Sequence, residues 1–208
     1  MGIVISCTGQ KGGGSKSAIA RSLAVGFTKA KWKTFLADMD VRQRTSLNWT
    51  HRRDKAGLSP IECGLFNRVD AALRVRDQCD ILIIDGRPAA ETTALDIALD
   101  SDLILVPCQP SIDDMQPSLE LARELCQKGV SREKIVFVIS KAGSKKDALS
   151  AIETIKAWGF NVLESYIRFQ TSYTQALDGG KALQEASPLS LRLEAKSVVE
   201  EIANIIIP

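Results

Sequence analysis

Two lysines, three adjacent glycines and two serines lie within Gln10-Lys11-Gly12-Gly13-Gly14-Ser15-Lys16-Ser17. The segment follows an apolar run (Ile3, Val4, Ile5) and precedes a helical pattern of Ile19, Ala20, Leu23, Ala24 and Phe27. A strand, a glycine-rich turn and a Lys-Ser pair at a helix start make a cradle for phosphate groups. Glycines let backbone N–H groups approach phosphate oxygens, and the helix N-terminus adds unpaired donors and partial positive charge. Gly12, Gly13, Gly14, Ser15 and Ala18 would line this cradle. Lys16 would reach the outer phosphates, and the Ser17 hydroxyl would ligate Mg²⁺. Lys11 is a second lysine, one more than an ordinary phosphate loop carries. Gln10 and Ser15 stand where the strict pattern has glycines.

Carboxylates end the next strand-like runs. Asp85 follows Ile81-Leu82-Ile83-Ile84 and suits a metal-holding role, directly or through water. Asp38 and Asp40 follow Thr34–Ala37 two residues apart, and extended geometry would send both to one side. One would orient a water attacking the terminal phosphate, and the other would help hold the metal's water shell.

Further runs at Leu103–Pro107, Ile135–Ile139 and, more weakly, Val162–Ile167 are apolar without alternation, as in strands covered on both faces. Helical spacing recurs in Leu119, Ala122, Leu125 and Cys126, in Ala148, Ile152 and Ile155, and in Leu191, Val198, Ile202 and Ile205. The alternation predicts an α/β fold, a mostly parallel twisted sheet with helices on both faces. Ligands of such a sheet sit beyond the carboxyl ends of its strands. The glycine loop, Asp38-Met39-Asp40 and Asp85-Gly86-Arg87-Pro88 all fall there. Residues 42–68 carry no clear pattern.

The 208 residues fit one domain spanning 1–208, with a composition of 45% hydrophobic and 25% charged residues that is ordinary for a globular protein. The start lacks a basic segment before an apolar core, and no run reaches membrane-spanning length, so a cytoplasmic protein is expected. Cys7, Cys63, Cys79, Cys108 and Cys126 form no CxxC pair and His51 is the only histidine, which excludes a zinc site or a disulfide framework. The tail from Val198 to Pro208 lacks a basic face and reads as a helix closing the core, not as a membrane anchor. A net charge of +2 leaves DNA binding to a local patch. Candidates are Arg42, Arg44, Arg52, Arg53 and Lys55, then Lys141, Lys145 and Lys146, and later Arg168, Lys181, Arg192 and Lys196.

The loop with its extra lysine resembles the deviant Walker A motif of the ParA/MinD superfamily of partition and positioning ATPases. Asp38-Met39-Asp40 with Gln43 resembles its switch I, and Asp85-Gly86-Arg87-Pro88 its switch II. Pro107-Cys108-Gln109-Pro110-Ser111 resembles a later proline-containing motif. Tyr173, Ala176, Leu177 and Gly179 resemble a late tyrosine segment. The matches run in family order from residue 1 to about 185, in a chain similar in length to small ParA proteins without an N-terminal helix-turn-helix. The resemblance implies a P-loop NTPase fold that uses ATP and Mg²⁺. It implies an ATP-dependent homodimer with Lys11 reaching the partner's phosphates, and hydrolysis supported by Asp40, which joins Ser17 and Asp85 on the metal side. It also implies non-specific DNA binding (here through Lys145, Lys146, Arg168 and Lys181), nucleoid association and a centromere-binding or cargo adaptor protein. Ser140 and Lys141 stand where the family contacts the base with an asparagine-led segment. Switch I carries an insertion, Val41-Arg42 before Gln43, and Gln170 replaces a frequent arginine near which Arg168 stands. Two rival readings are a nucleotide-gated adaptor with little turnover, motivated by Ser15 and the altered switch I, and a metabolic ATP-dependent ligase on the same scaffold.

Overall fold

The computed structural model describes residues 2–10, 13, 15–87 and 91–207, with backbone alone at Glu91 and Thr92. Lys11, Gly12, Gly14 and Pro88 lie outside the described residues. Elements alternate along the chain: β1 (Ile3–Cys7), α1 (Lys16–Lys29), β2 (Thr34–Asp38), α2 (Thr45–Lys55), β3 (Glu62–Leu65), α3 (Val69–Leu73), β4 (Ile81–Asp85) and α4 (Glu91–Asp100). There follow β5 (Leu103–Cys108), α5 (Ile112–Gln127), β6 (Ile135–Ile139), α6 (Lys145–Ala157), β7 (Asn161–Val162), α7 (Thr171–Asp178) and α8 (Leu189–Ile206).

The seven described strands form one sheet in the order β3-β2-β4-β1-β5-β6-β7, with every pair parallel. Strand β1 sits between β4 and β5, so the chain changes direction across the sheet beside the strand that feeds the glycine loop. That switch point leaves a crevice at the carboxyl edge.

Side chains alternate between the two faces of each strand. Ile81, Ile83, Leu103 and Leu105 face a core shared with Ile19, Leu23 and Phe27 of α1 and Leu191, Val198 and Ile202 of α8. Ile104, Val106, Phe137 and Ile139 face the opposite way, onto Leu119, Ala122 and Leu125 of α5 and Ala148, Ile152 and Ile155 of α6. Leu82 and Ile84 pack with Ala72 and Ile97 in a third cluster. The unbroken apolar runs thus supply both faces of a covered sheet. Among the described residues no helix is long and apolar enough to cross a membrane, and the tail helix α8 packs into the core.

Three departures from the sequence reading have physical causes. Strand β3 was not anticipated, because Glu62-Cys63-Gly64-Leu65 is short, only partly buried and placed at the sheet edge. The strand expected near Val162–Ile167 shrinks to Asn161–Val162 plus an isolated pairing of Ala142 with Arg168. Glu201 of α8 accepts the N–H groups of Glu164 (2.8 Å) and Ser165 (2.9 Å), which diverts them from a ladder. Arg53, a candidate for a basic surface, is instead 1% exposed. Its guanidinium donates to Ser59 O (2.6 Å), Gly180 O (3.1 Å) and Glu185 Oε2 (2.7 Å), and it stacks 5.4 Å from the Trp49 ring centre.

This cluster ties α2 to the segment before α8. Burial alone would raise the Glu185 carboxyl, but hydrogen bonds from Arg53, the Ala182 N–H and Lys29 outweigh it and hold the group at about 2. A carboxyl lowered on folding stabilises the fold above its unfolded value, and that stability is lost as pH falls toward the folded value. Glu185→Gln is expected to destabilise the protein by roughly 3 kcal/mol at pH 7. Its deficit against the parent should shrink between about pH 4.5 and pH 2. Urea unfolding across that range measures both.

Candidate functional site

Strand β1 runs out at Cys7, and the chain turns through Gly13 (φ 82°) and Ser15 (φ 68°) into α1. The left-handed conformation suits glycine, and a serine holds it against steric resistance. Ser15 is the residue capping α1, with no side-chain capping bond. Lys16, the first residue of the helix, is 6% exposed. Burial pulls its ammonium below the ordinary range, opposed chiefly by the Asp85 charge.

Asp85 closes β4 directly beside Cys7 of β1. Its carboxylate accepts from Ser17 Oγ at 3.1 Å and from Ser46 Oγ at 2.6 Å. Burial pushes its pKa up to about 6, tempered by the Ser46 hydrogen bond and by Arg21. The next residue must be small. A Cβ on Gly86 would lie 2.7 Å from Cys7 O, whose carbonyl the Gly86 N–H already meets at 3.0 Å. Arg87 is exposed and donates to Thr93 Oγ1 at 3.0 Å.

The two switch carboxylates separate in role. Strand geometry stops at Asp38, which is fully buried, so the pair does not project to one side. Asp38 Oδ2 accepts the N–H groups of Ser46 (2.8 Å) and Leu47 (3.1 Å), and Oδ1 accepts that of Asp40 (3.0 Å). Asp38 therefore anchors the start of α2. Asp40 is half-buried and accepts the N–H groups of Arg42 (3.1 Å) and Gln43 (3.0 Å) through one oxygen. It borders the cavity.

That cavity, of about 440 Å³, is lined by Gly13, Ser15, Lys16, Ser17 and Ala18 on the loop side and by Asp40, Gln43 and Asp85 on the switch side. Ser140 and Lys141, past β6, form part of the opposite wall. Lys141 is itself left-handed (φ 54°), and its Nζ donates to Gly13 O at 2.7 Å. Ile167, Phe169, Tyr173 and Leu177 give the far end an apolar lining. Among the described residues no three His, Cys, Asp or Glu converge. A metal here would draw on Ser17, Asp85, water and substrate oxygens, the usual donor set of Mg²⁺. The cavity is wide enough for a nucleotide, and the buried Lys16 faces a carboxylate that accepts from two hydroxyls, so the residues fit a Mg-nucleotide.

Sequence reasoning did not single out Arg21 or Ser46. Arg21 lies one helical turn beyond Ser17 and so shares its face, which was the available signal. Ser46 carried none, because its place beside Asp85 depends on contacts 39 residues apart. Of the proposed DNA-contacting residues, Lys145, Lys146 and Lys181 are exposed. Arg168 lines the cavity and is paired with Glu194 through its backbone N–H and its Nε. Cys7 and Cys108 are buried, and burial raises both thiols, Cys108 to about 12. Neither is poised as a nucleophile.

Residues 5–183 match the family described as the CobQ/CobB/MinD/ParA nucleotide binding domain. The chain belongs to that family. No curated protein sequence matches. Among solved structures, the cell division ATPase MinD of Pyrococcus furiosus is similar at 17% identity, covering 99% of this chain and 100% of the other, with a TM-score of 0.74. MinD of Pyrococcus horikoshii complexed with Mg-ADP is 15% identical over 99% of this chain and 98% of its own, with a TM-score of 0.72. A plasmid partition protein of Borrelia burgdorferi bound to AMPPNP is 16% identical over 100% of this chain and 99% of its own, with a TM-score of 0.72. At these identities the likeness is one of fold, and it spans this ParA/MinD-type chain from end to end.

The different work of the two aspartates is measurable. Asp38→Ala removes a cap and leaves buried N–H groups unpaired, so it should lower unfolding stability by about 3 kcal/mol. Asp40→Ala, at a half-buried turn, should lower it by less than about 1 kcal/mol. Urea midpoints of the two variants give the comparison.

Proposed function

We propose that this chain is a Mg-ATP-dependent partition or positioning ATPase. In this reading two copies close face to face around two nucleotides, and the ATP-bound dimer binds DNA without sequence preference. A centromere-binding or cargo adaptor protein stimulates turnover, and the cycle moves plasmid or other DNA cargo on the nucleoid. The observation that carries the reading is convergence. The loop ending in Lys16-Ser17, the turn carrying Asp40 and the strand end carrying Asp85 border one cavity in a chain of the MinD/ParA family.

The residues divide the chemistry simply. Loop amides and Lys16 neutralise and orient the phosphates, since phosphoryl transfer depends on positioning and charge stabilisation. Ser17 and Asp85 would hold Mg²⁺, which supplies charge neutralisation at the phosphate oxygens when bound. Asp40, which borders the cavity, would orient a water toward the terminal phosphate, and Lys11 would act on the partner's nucleotide. Exposed Lys145, Lys146 and Lys181 are the DNA-facing lysines of this reading. The Arg168–Glu194 pair makes Arg168 the weakest of the four proposed contacts.

The conformation of Ser15 supports a second reading. A non-glycine residue at φ 68° resists rearrangement of the loop, which fits an adaptor that binds nucleotide tightly and turns it over slowly. ATP turnover with and without DNA, alongside oligomer size in ATP and ADP, separates the two. Lys16→Ala should abolish nucleotide binding, Lys11→Ala should impair dimerisation and hydrolysis, and Asp40→Ala should trap an ATP-bound dimer. Turnover unchanged by Lys16→Ala rejects the ATPase reading. Tight binding without phosphate release, even with DNA present, selects the adaptor.

A further inference from the structure

We propose that Arg21 is a positioning residue for Asp85, and that it acts through the Ser46 hydroxyl. The inference rests on the nucleotide-site reading above and adds residues to it.

A serine hydroxyl has one proton to give, whereas a guanidinium only donates. Arg21 Nε donates to Ser46 Oγ at 3.1 Å, so the single Ser46 proton is left for Asp85 Oδ2 at 2.6 Å. The Ser46 N–H meanwhile donates to Asp38 at 2.8 Å. One fully buried serine therefore joins α1, the switch turn and β4. With Ser17 on the other Asp85 oxygen, the carboxylate is held from both sides. Rotation of Ser46 away from Asp85 would break the Arg21 bond as well, so the two contacts support one another.

Arg21 is fixed independently. Its guanidinium stacks 5.7 Å from the centre of the Trp49 ring, and the Trp49 Nε1–H is held by Lys181 O at 3.0 Å. Arg21 is 4% exposed and borders the cavity, yet its Nη2 meets no acceptor among the described residues. A buried donor without a partner is unfavourable and rare. A lysine at position 21 could carry the charge, but it could not stack on Trp49 and meet Ser46 with a planar fork.

The test titrates Mg²⁺ against the full-length protein with a fluorescent ATP analogue, and repeats the binding in EDTA. Arg21→Met keeps much of the side chain's length and removes the guanidinium. Ser46→Ala keeps the N–H bond to Asp38, and so carries the test if Arg21→Met fails to fold. The relay predicts that each variant raises the half-saturating Mg²⁺ concentration about tenfold, the scale of one hydrogen bond to a charged group. Metal-free affinity should change less than about twofold. The double variant should match the single ones, and Arg21→Lys should not rescue. A lowered melting temperature with an unshifted Mg²⁺ midpoint overturns the relay, as do additive effects of the two substitutions. Failure of the parent to bind the analogue at all overturns the nucleotide site first and the relay with it.

Discussion

A carboxylate taken out of water at the end of the central strands governs this molecule. Asp85 is 3% exposed, and burial of an unneutralised carboxylate is strongly unfavourable. The fold answers with short donors and nearby cations: Ser17 from α1, Ser46 from α2, and the charges of Arg21 and Lys16. Each partner comes from an element that the sheet order places beside β4. The pairing of β1 with β4 brings the phosphate loop alongside, and the pairing of β2 with β4 brings the switch turn. A binding site for a metal-bound polyphosphate and a solution to burying one charge are thus the same arrangement.

Much of this was readable from residue types. The buried strands announced themselves as apolar runs, because a parallel sheet covered on both faces has no reason to alternate. The glycine loop and Asp85 were readable for a similar reason, since each follows a strand and each ends where the chain must turn. What escaped was whatever depended on distant partners. Arg53 looked like surface charge, yet Glu185, 132 residues away, neutralises it in the interior. Asp38 looked like half of a reactive pair. Its oxygens are in fact occupied by the backbone N–H groups of Asp40, Ser46 and Leu47, a capping role that a pattern of aspartates does not reveal.

The switch segment between Asp40 and α2 is a tight turn. Asp40 O accepts the Arg44 N–H at 2.7 Å, and Arg44 adopts φ 52° before α2 begins. Val41 to Gln43 thus lie within a tight turn that leads straight into α2. The Ser46 N–H on Asp38 pins the start of the helix, while Arg42 and Arg44 are exposed. An altered motif therefore coexists with an intact junction between α2 and Asp85.

The loop is also restrained from its other flank. Lys141, at the end of β6, reaches Gly13 O and approaches from the side of the sheet opposite the switch turn. In sequence this lysine stands where a base contact is expected, yet its ammonium lies against the phosphate loop. An ammonium held by a single carbonyl retains donors for a second acceptor, and a phosphate is a stronger one than a peptide oxygen. Lys141 and Ser15 both have left-handed backbones, at φ 54° and 68°. Both are conformations that an L-residue adopts only under constraint. Both residues border the cavity, so the strain of each sits in the wall of the candidate nucleotide site.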